Sequence, residues 1–306
     1  MRRFPLPIAI VLGGLLAGAT ELCAQPNPPA DIEKVIVSAP RFHFAVTPNA
    51  IAHEFIGSYA MPSLLLGTIP RWHAPICLEI RGVRPEFQTM VEQRVRYIAI
   101  EAGAPMAGNA CKPNLSITFT PEPQKLLDNI RARNSYALGY HAATSISHPV
   151  QAWYATATTD IRGRSFTDGE IFTNFDTDGI SPVYSYGNTP MVQVEGMPGR
   201  SGLRSDLTTV TIIVDSRQTS GFMVGAVADY VAMLALTQTQ AYDTCENLLS
   251  ITNLLSADCD TKLKPNAITA NDVAYLRGLY HMDSGAPLKV QQDQIAGEMA
   301  KALGSK

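Results

Sequence analysis

One carboxylate stands within a strongly apolar part of the chain. Asp229 lies in the run FMVGAVADYVAMLALTQ, residues 222–238, whose other members are mostly apolar or small. A carboxylate that is removed from water needs a hydrogen-bonding partner or a raised pKa. Since perturbed carboxylates are also typical of active sites, Asp229 is the candidate catalytic acid. The interpretation that we favour is an aspartate that faces solvent or pairs with a neighbouring arginine.

A second group of side chains has the spacing of a calcium-binding loop. Asn174, Asp176 and Asp178 alternate along the chain and are followed by Gly179, as in the first half of such a loop. The twelfth position, where a bidentate glutamate is expected, is Ser185. We therefore interpret the segment as a solvated turn, keep a calcium site as the alternative, and predict no cofactor.

Standard catalytic motifs are absent from the sequence. It contains no G-x-S-x-G elbow, no glycine-rich phosphate loop and no Walker lysine. No two histidines stand four residues apart, so no helical face offers two imidazoles to zinc. We interpret each histidine as an ordinary surface residue or a hydrogen-bonded core residue: His43, His53, His73, His141, His148 and His281. These observations favour a protein without catalytic activity, with an enzyme as the alternative.

The first 24 residues have the pattern of an export signal. Two arginines precede an apolar stretch at 4–19, and small residues offer cleavage sites after Ala19 or Ala24. The apolar stretch is shorter than the roughly 20 residues that span a bilayer. We therefore predict that residues 1–24 are a cleaved signal peptide, that the mature protein is periplasmic or secreted, and that it has no transmembrane segment.

The cysteines fit an exported protein. Cleavage after Ala24 would remove Cys23, and the four that remain are an even number, which suggests two disulfides. Cys77 lies near the start of one predicted strand and Cys111 just before another, so parallel strands would bring both to the same end of a sheet. We expect the pairs Cys77–Cys111 and Cys245–Cys259, and the other two pairings stay open. The second pair would contribute about 3 kcal/mol.

Composition excludes two classes of protein. Of the 306 residues, 46% are hydrophobic and 17% are charged, which is enough apolar material for a core and excludes a disordered chain. The 24 basic and 27 acidic residues nearly balance. A nucleic-acid-binding protein would carry a basic face, so we predict no nucleic-acid partner.

Periodic patterns define the elements that would position these residues. Residues 75–82 alternate as a strand does, residues 85–102 have helical spacing and end at Gly103, and residues 113–120 form a second strand. Because a strand, a helix of about five turns and a strand form a crossover, the two strands should be parallel. A second helix is predicted at 121–133.

The second half of the chain adds two strands and four helices. Strands are predicted at 150–160 and 207–215, separated by a long loop at 161–205. After Ser220 or Thr219 as a cap, the apolar run forms a long buried helix. Further helices are predicted at 243–255, 269–281 and 289–303, with a capping box between Thr269 and Asp272.

This order of elements resembles the zincin fold of secreted metallopeptidases. In that fold the last strand leads into a helix that carries H-E-x-x-H, where this chain has Asp229, Tyr230 and Met233. The threonine-capped segment 267–280, which ends in Leu-Tyr, is similar to the closing segment of many zincins. The resemblance covers about residues 70–282 and extends to uncharacterised envelope proteins of degenerate zincin type. It implies an α+β fold with a mixed sheet, a crossover helix, a buried helix after the last strand, a helical C-terminal part, and loss of the metal.

Four parts are therefore expected: the signal peptide (1–24), an arm with a short strand and a helix (25–69), a zincin-like domain (70–285) and a C-terminal helix (286–306). The expected function is that of a non-catalytic envelope module for binding or structure. Its partner would be a peptide, a glycan or an envelope protein. Aromatic residues around the long loop, such as Trp153, could line that site, although packing is the favoured interpretation. The alternative is a periplasmic hydrolase with an unusual site around Asp229 and the loop.

Overall fold

Six α-helices and a five-stranded mixed sheet make up the described part of the chain, which in this computed structural model comprises residues 47–108, 110–160, 163–168 and 202–304. The strands are β1 (Leu78–Arg81), β2 (Leu115–Thr120), β3 (Val150–Asp160), β4 (Ser165–Thr167) and β5 (Leu203–Asp215). The helices are α1 (Pro48–Tyr59), α2 (Pro85–Ala102), α3 (Pro123–Asn134), α4 (Val224–Leu236), α5 (Ala270–His281) and α6 (Leu288–Gly304). The fold class is α+β, as the sequence predicts.

Several sequence predictions lie outside the described residues. They are the signal peptide, the short strand of the N-terminal arm, most of the loop 161–205, and the calcium-loop candidates Asn174, Asp176 and Asp178. Within the described residues, none of the helices combines the length and the apolar composition needed to cross a membrane.

The sheet has the strand order β1-β2-β5-β3-β4. β1, β2 and β5 are parallel, whereas β3 runs antiparallel to β5 and β4 antiparallel to β3. The parallel pair β1 and β2 with α2 between them confirms the predicted crossover. β5 begins four residues before the strand that the apolar pattern predicts, because its polar start also pairs with β3, Arg204 opposite Thr159 and Asp206 opposite Ala157.

α4 is buried along nearly its whole length, since every residue from Ala226 to Leu236 is inaccessible to solvent. The last carbonyl groups of a helix have no partner within the helix and, in a core, no water to bind. Here Tyr154, Trp72 and Tyr280 donate hydrogen bonds of 2.8–3.0 Å to the carbonyls of three successive residues, 234–236. These three aromatic side chains come from β3, the segment before β1, and α5, so they join those parts to the end of α4.

The predicted cap of α4 is wrong. The N-cap residue is Met223, and no side chain caps the helix. The Thr219 hydroxyl instead donates to the carbonyl of Asp215 at 2.8 Å, and the Ser220 hydroxyl donates to the carbonyl of Arg217. Both hydroxyls therefore stabilise the turn after β5 rather than the first turn of α4.

The helix predicted at 243–255 is also wrong, because this segment contains a short 3-10 turn at Ile251–Asn253 and no α-helix. The Asn253 side chain explains the difference. Its amide donates to the carbonyls of Glu246, Leu248 and Leu263, and its oxygen accepts from the Glu246 N–H at 2.8 Å. Such bonds from a side chain to the backbone compete with helical hydrogen bonds.

α5 begins with the predicted capping box. The Thr269 hydroxyl accepts from the Asp272 N–H at 3.2 Å, and the Asp272 carboxylate accepts from the Thr269 N–H at 2.8 Å. The carboxylate also accepts from the Ser250 hydroxyl and from the Ile251 N–H. Burial raises the pKa of Asp272 to about 6, although these hydrogen bonds oppose the shift.

Two disulfides, Cys77–Cys111 and Cys245–Cys259, close loops at the edges of the fold. Cys77 immediately precedes β1, and Cys111 lies a few residues before β2. Because those strands are parallel, the two cysteines lie at the same end of the sheet, with their Cα atoms 5.9 Å apart. These are the pairs that the sequence analysis favours.

Candidate functional site

Asp229 is part of a buried ion pair. Its side chain is 0% exposed, and its two oxygens accept hydrogen bonds from Nε and Nη2 of Arg94, both at 2.5 Å. The Ile268 N–H donates to the same carboxylate at 2.7 Å. Burial raises the pKa of Asp229 above its ordinary value, although the bonds from Arg94 and Ile268 oppose this shift. The carboxylate is therefore enclosed and accepts hydrogen bonds from three N–H groups.

The helical pattern of α2 explains how Arg94 reaches this place. Val91 and Val95 lie on the buried face of α2, and Arg94 is three residues after Val91, so it lies at the edge of that face. Its side chain passes over Gly225 of α4, where a Cβ atom would lie 3.9 Å from it. The ion pair thus joins α2, α4 and the residue before the cap of α5. Of the two forms of the favoured interpretation, an aspartate that faces solvent and one that pairs with an arginine, the structure shows the second.

The positions at which the sequence resemblance would place zincin ligands are all internal. Besides Asp229, these are Tyr230, whose hydroxyl donates to the carbonyl of Tyr242, and Met233, which is fully buried. Among the described residues, no group of three His, Cys, Asp or Glu side chains could hold a metal ion. The described part of α4 therefore presents no ligand set for a metal.

Every described histidine has a polar partner. The contacts are His53–Asp293 at 3.3 Å, His73–Asp206 at 2.7 Å, His141–Gln240 at 2.9 Å, His148–Asp243 at 3.1 Å, and His281 with the Arg277 carbonyl at 2.7 Å. The pair of His73 and Asp206 differs from the other two aspartate pairs, because its side chains are only 19% and 14% exposed. It is also part of a larger group of charges.

The His73 cluster consists of Arg71, His73, Arg204 and Asp206. Arg71 donates from Nε to Nε2 of His73 at 3.2 Å, and Nδ1 of His73 lies 2.7 Å from Asp206. Arg204 donates from Nε to both oxygens of Asp206, at 3.0 and 3.3 Å. At the other end, Nη1 of Arg71 donates to the Leu279 carbonyl in α5 at 2.9 Å. The result is a continuous chain of polar contacts from α5 to β5.

Strand pairing brings the cluster together. Asp206 near the start of β5 forms a parallel bridge with Arg71, and the Leu207 N–H donates to the Arg71 carbonyl at 3.0 Å. His73 and Arg204 are each two residues from one member of this bridge. Alternate residues of a strand lie on one face, so the bridge places the four side chains within reach of one another.

The electrostatics of the cluster favour an ionised Asp206. Burial raises the pKa of Asp206, but hydrogen bonds from His73, Thr159 and Arg204 outweigh it, and the pKa lies below its usual value. Burial lowers the pKa of Arg71, and the charge of Arg204 lowers it further.

This arrangement suits two kinds of chemistry. A histidine that is oriented by a carboxylate can act as a general base, which at His73 would require Arg71 to release Nε2. Guanidinium groups held in fixed positions bind carboxylates and phosphates through paired hydrogen bonds. The sequence alone does not reveal the cluster, because its members come from two distant segments. A detectable signal is the placement of two charged residues, Arg204 and Asp206, at alternate positions before the apolar part of β5.

A surface groove of about 360 Å³ between α5 and α6 shares no residue with either polar group. Ala270, Ala274 and Ala302 are among the small residues that line it. Its charged members already form pairs, Arg277 with Glu101 and Lys301 with Glu298, each at 2.6 Å. The aromatic residues Trp153 and Tyr154 are also buried, so they pack in the core rather than line a cleft.

Comparisons with known proteins gave no match: no family model, no curated protein and no solved structure is similar to the chain. The geometry of the two polar groups is therefore the basis for a functional proposal.

Proposed function

We propose that the protein is a non-catalytic binding module of the bacterial cell envelope that has a zincin-like fold without the metal. The observation that carries this proposal is the burial of the side chains of α4. At the positions that match zincin ligands, Asp229 is enclosed by Arg94 and Ile268, and Met233 is inside the core. A helix with these residues has a structural role, so function is expected elsewhere on the surface.

The disulfides support the proposed location outside the cytoplasm. Structural disulfides persist in oxidising environments such as the periplasm and are rare in the cytosol. Both described disulfides join segments of the fold at loops, Cys77 with Cys111 and Cys245 with Cys259. Together with the signal-like first 24 residues, they favour an exported protein.

Metal content tests the proposal. The mature protein would be exported with its disulfides formed, purified without chelator, and assayed by elemental analysis and thermal unfolding. We expect zinc well below one equivalent, a cooperative melt, and no shift of the melting temperature on addition of zinc. Near-stoichiometric zinc, or stabilisation by added zinc that is lost in Asp229→Asn, would refute the proposal.

A periplasmic hydrolase is the second candidate, because the contact between His73 and Asp206 resembles the base and orienting carboxylate of hydrolases. Peptidase and esterase substrates would be tested with the wild type, His73→Gln and His148→Gln. His148 also contacts an aspartate, Asp243, and serves as the matched control. Activity that disappears in His73→Gln and survives in His148→Gln would establish the hydrolase. Loss of activity in a folded Asp229→Asn variant would instead place the site at α4.

A further inference from the structure

We infer that the His73 cluster binds the carboxylate group of a ligand, with Arg204 as the principal donor. This inference rests on the proposed binding function, and it names the chemistry of the group that is bound. It follows from two properties of the cluster: the donors that remain on Arg204, and the way in which Arg204 is held.

Arg204 retains donors for such a group. Toward the described residues it donates hydrogen bonds from Nε alone, and both go to Asp206. Its side chain is 34% exposed, so solvent reaches it. A guanidinium has five N–H donors in a planar fork. The two terminal nitrogens can therefore donate to an anion while Nε keeps its contact with Asp206.

The contacts within the cluster hold Arg204 before any ligand arrives. Asp206 is fixed by His73, and His73 is fixed by Arg71, which donates to the Leu279 carbonyl. An arginine that is already oriented loses less conformational entropy on binding than a mobile surface side chain. These contacts thus give the half-buried His73 a positioning role.

A carboxylate fits this donor better than a larger anion. Its two oxygens lie in one plane and match two parallel N–H groups of a guanidinium. The group could belong to a free small acid or to the C-terminus of a peptide, since both present the same two oxygens. The probes below separate these sources.

The test is a titration followed by ¹⁵N–¹H NMR of the mature, disulfide-bonded chain. The probes are sodium succinate, inorganic phosphate, and N-acetyl-alanyl-alanine with a free or an amidated C-terminus, all at constant ionic strength in sodium chloride. We expect saturable shifts of the amides at 71–73 and 204–207 with the carboxylate probes. Tighter binding of the peptide acid than of succinate would assign the group to a chain terminus, and the reverse order to a small acid.

Variants decide whether Arg204 is the donor. Arg204→Gln should weaken carboxylate binding at least about tenfold, the loss expected for one charge-assisted hydrogen-bonding site. Arg204→Lys, which keeps the charge without the fork, should bind with intermediate affinity. Arg217→Gln is the matched control, because Arg217 lies just beyond the other end of β5 near Asp215; its affinity should equal that of the wild type.

Three outcomes would overturn the inference: no saturable carboxylate binding by the wild type, unchanged affinity in a folded Arg204→Gln variant, or binding of phosphate without carboxylates. None of these depends on metal content or hydrolysis. Failure of the inference is therefore distinguishable from failure of the proposed function.

Discussion

Two arginine–aspartate contacts in this molecule have similar chemistry and different surroundings. The pair of Arg94 and Asp229 is enclosed between helices, with the aspartate 0% and the arginine 11% exposed. The contact of Arg204 with Asp206 lies where β5 begins, and its arginine is 34% exposed. In the first case both oxygens of the aspartate accept hydrogen bonds from the arginine inside the fold. In the second, the arginine donates to the described residues from Nε alone.

Access to solvent, rather than the kind of residue, separates a structural charge pair from a binding site. The contact of Arg94 with Asp229 connects α2 with α4. Arg204 and Asp206 are instead two residues apart in β5, and this contact reaches α5 only through His73 and Arg71. A buried charge that loses its partner remains in a medium of low polarity and is costly. Water can replace a partner that is lost from an exposed contact. Mutations should therefore have very different effects at the two places.

Removal of Arg94 should have the largest effect. Arg94→Met leaves the Asp229 carboxylate buried with a single backbone donor, so we expect the free energy of unfolding to fall by about 3–5 kcal/mol. Urea unfolding followed by circular dichroism measures it. The double variant Arg94→Met, Asp229→Leu removes both charges and should regain part of the loss. A fall of less than about 1 kcal/mol in the single variant would mean that water reaches the pair.

Asp272 is as buried as Asp229, but its carboxylate accepts hydrogen bonds from neutral donors only. Its pKa is raised to about 6 in the folded protein. A raised pKa means that the folded state favours the protonated form, so this contribution to stability is present below about pH 4 and lost as the pH rises through about 6. The expected loss is about 3 kcal/mol.

The measurement compares the wild type with Asp272→Asn, which cannot titrate, by urea unfolding at several pH values from 4 to 7. The variant loses part of the capping box and is less stable throughout. The difference in the free energy of unfolding between the wild type and the variant should therefore decrease as the pH rises from 4 to 7. A constant difference between the two proteins would contradict the raised pKa of Asp272.

A smaller effect is expected where the enclosed region depends on neutral hydrogen bonds. Tyr280→Phe removes the hydroxyl that donates to the Leu236 carbonyl and leaves that buried acceptor unpaired. We expect a loss of about 1–3 kcal/mol in the free energy of unfolding. Tyr136→Phe is the control, because Tyr136 is an exposed residue. Equal stability of the two variants would show that the end of α4 gains nothing from its aromatic donors.

Local signals in the sequence were sufficient for much of the fold. α2 extends over the predicted residues because Pro85 suits its first turn and Gly103 adopts a left-handed conformation after its last. β3 follows its alternation from Val150 to Asp160, and the capping box fixes the start of α5. Each of these features depends on residues that are close together in the chain.

Contacts between distant residues could not be predicted in the same way. The position of Asp229 in an apolar run indicates that it needs a partner, but nothing local identifies Arg94. The predicted strand that begins at residue 207 omits Asp206, because polar residues at the start of β5 hide its continuation. The His73 cluster depends on that continuation and on the bridge to Arg71. Side-chain periodicity contains no information about which segments become neighbours.

The smallest effect on stability is expected in the His73 cluster. Arg204→Gln removes a partly exposed charge, and the less exposed Asp206 keeps its contact with His73. We therefore expect a change in the free energy of unfolding of no more than about 1 kcal/mol, the size typical of ion pairs that solvent reaches. Urea unfolding of Arg204→Gln and Arg94→Met under the same conditions compares the two losses of stability. A loss of 3 kcal/mol or more would show that Arg204 is as enclosed as Arg94, and its terminal nitrogens would then be unable to receive a ligand. A small loss, together with weakened carboxylate binding, would separate the two contacts by role, because the same residue type would support the fold at one place and recognise a ligand at the other.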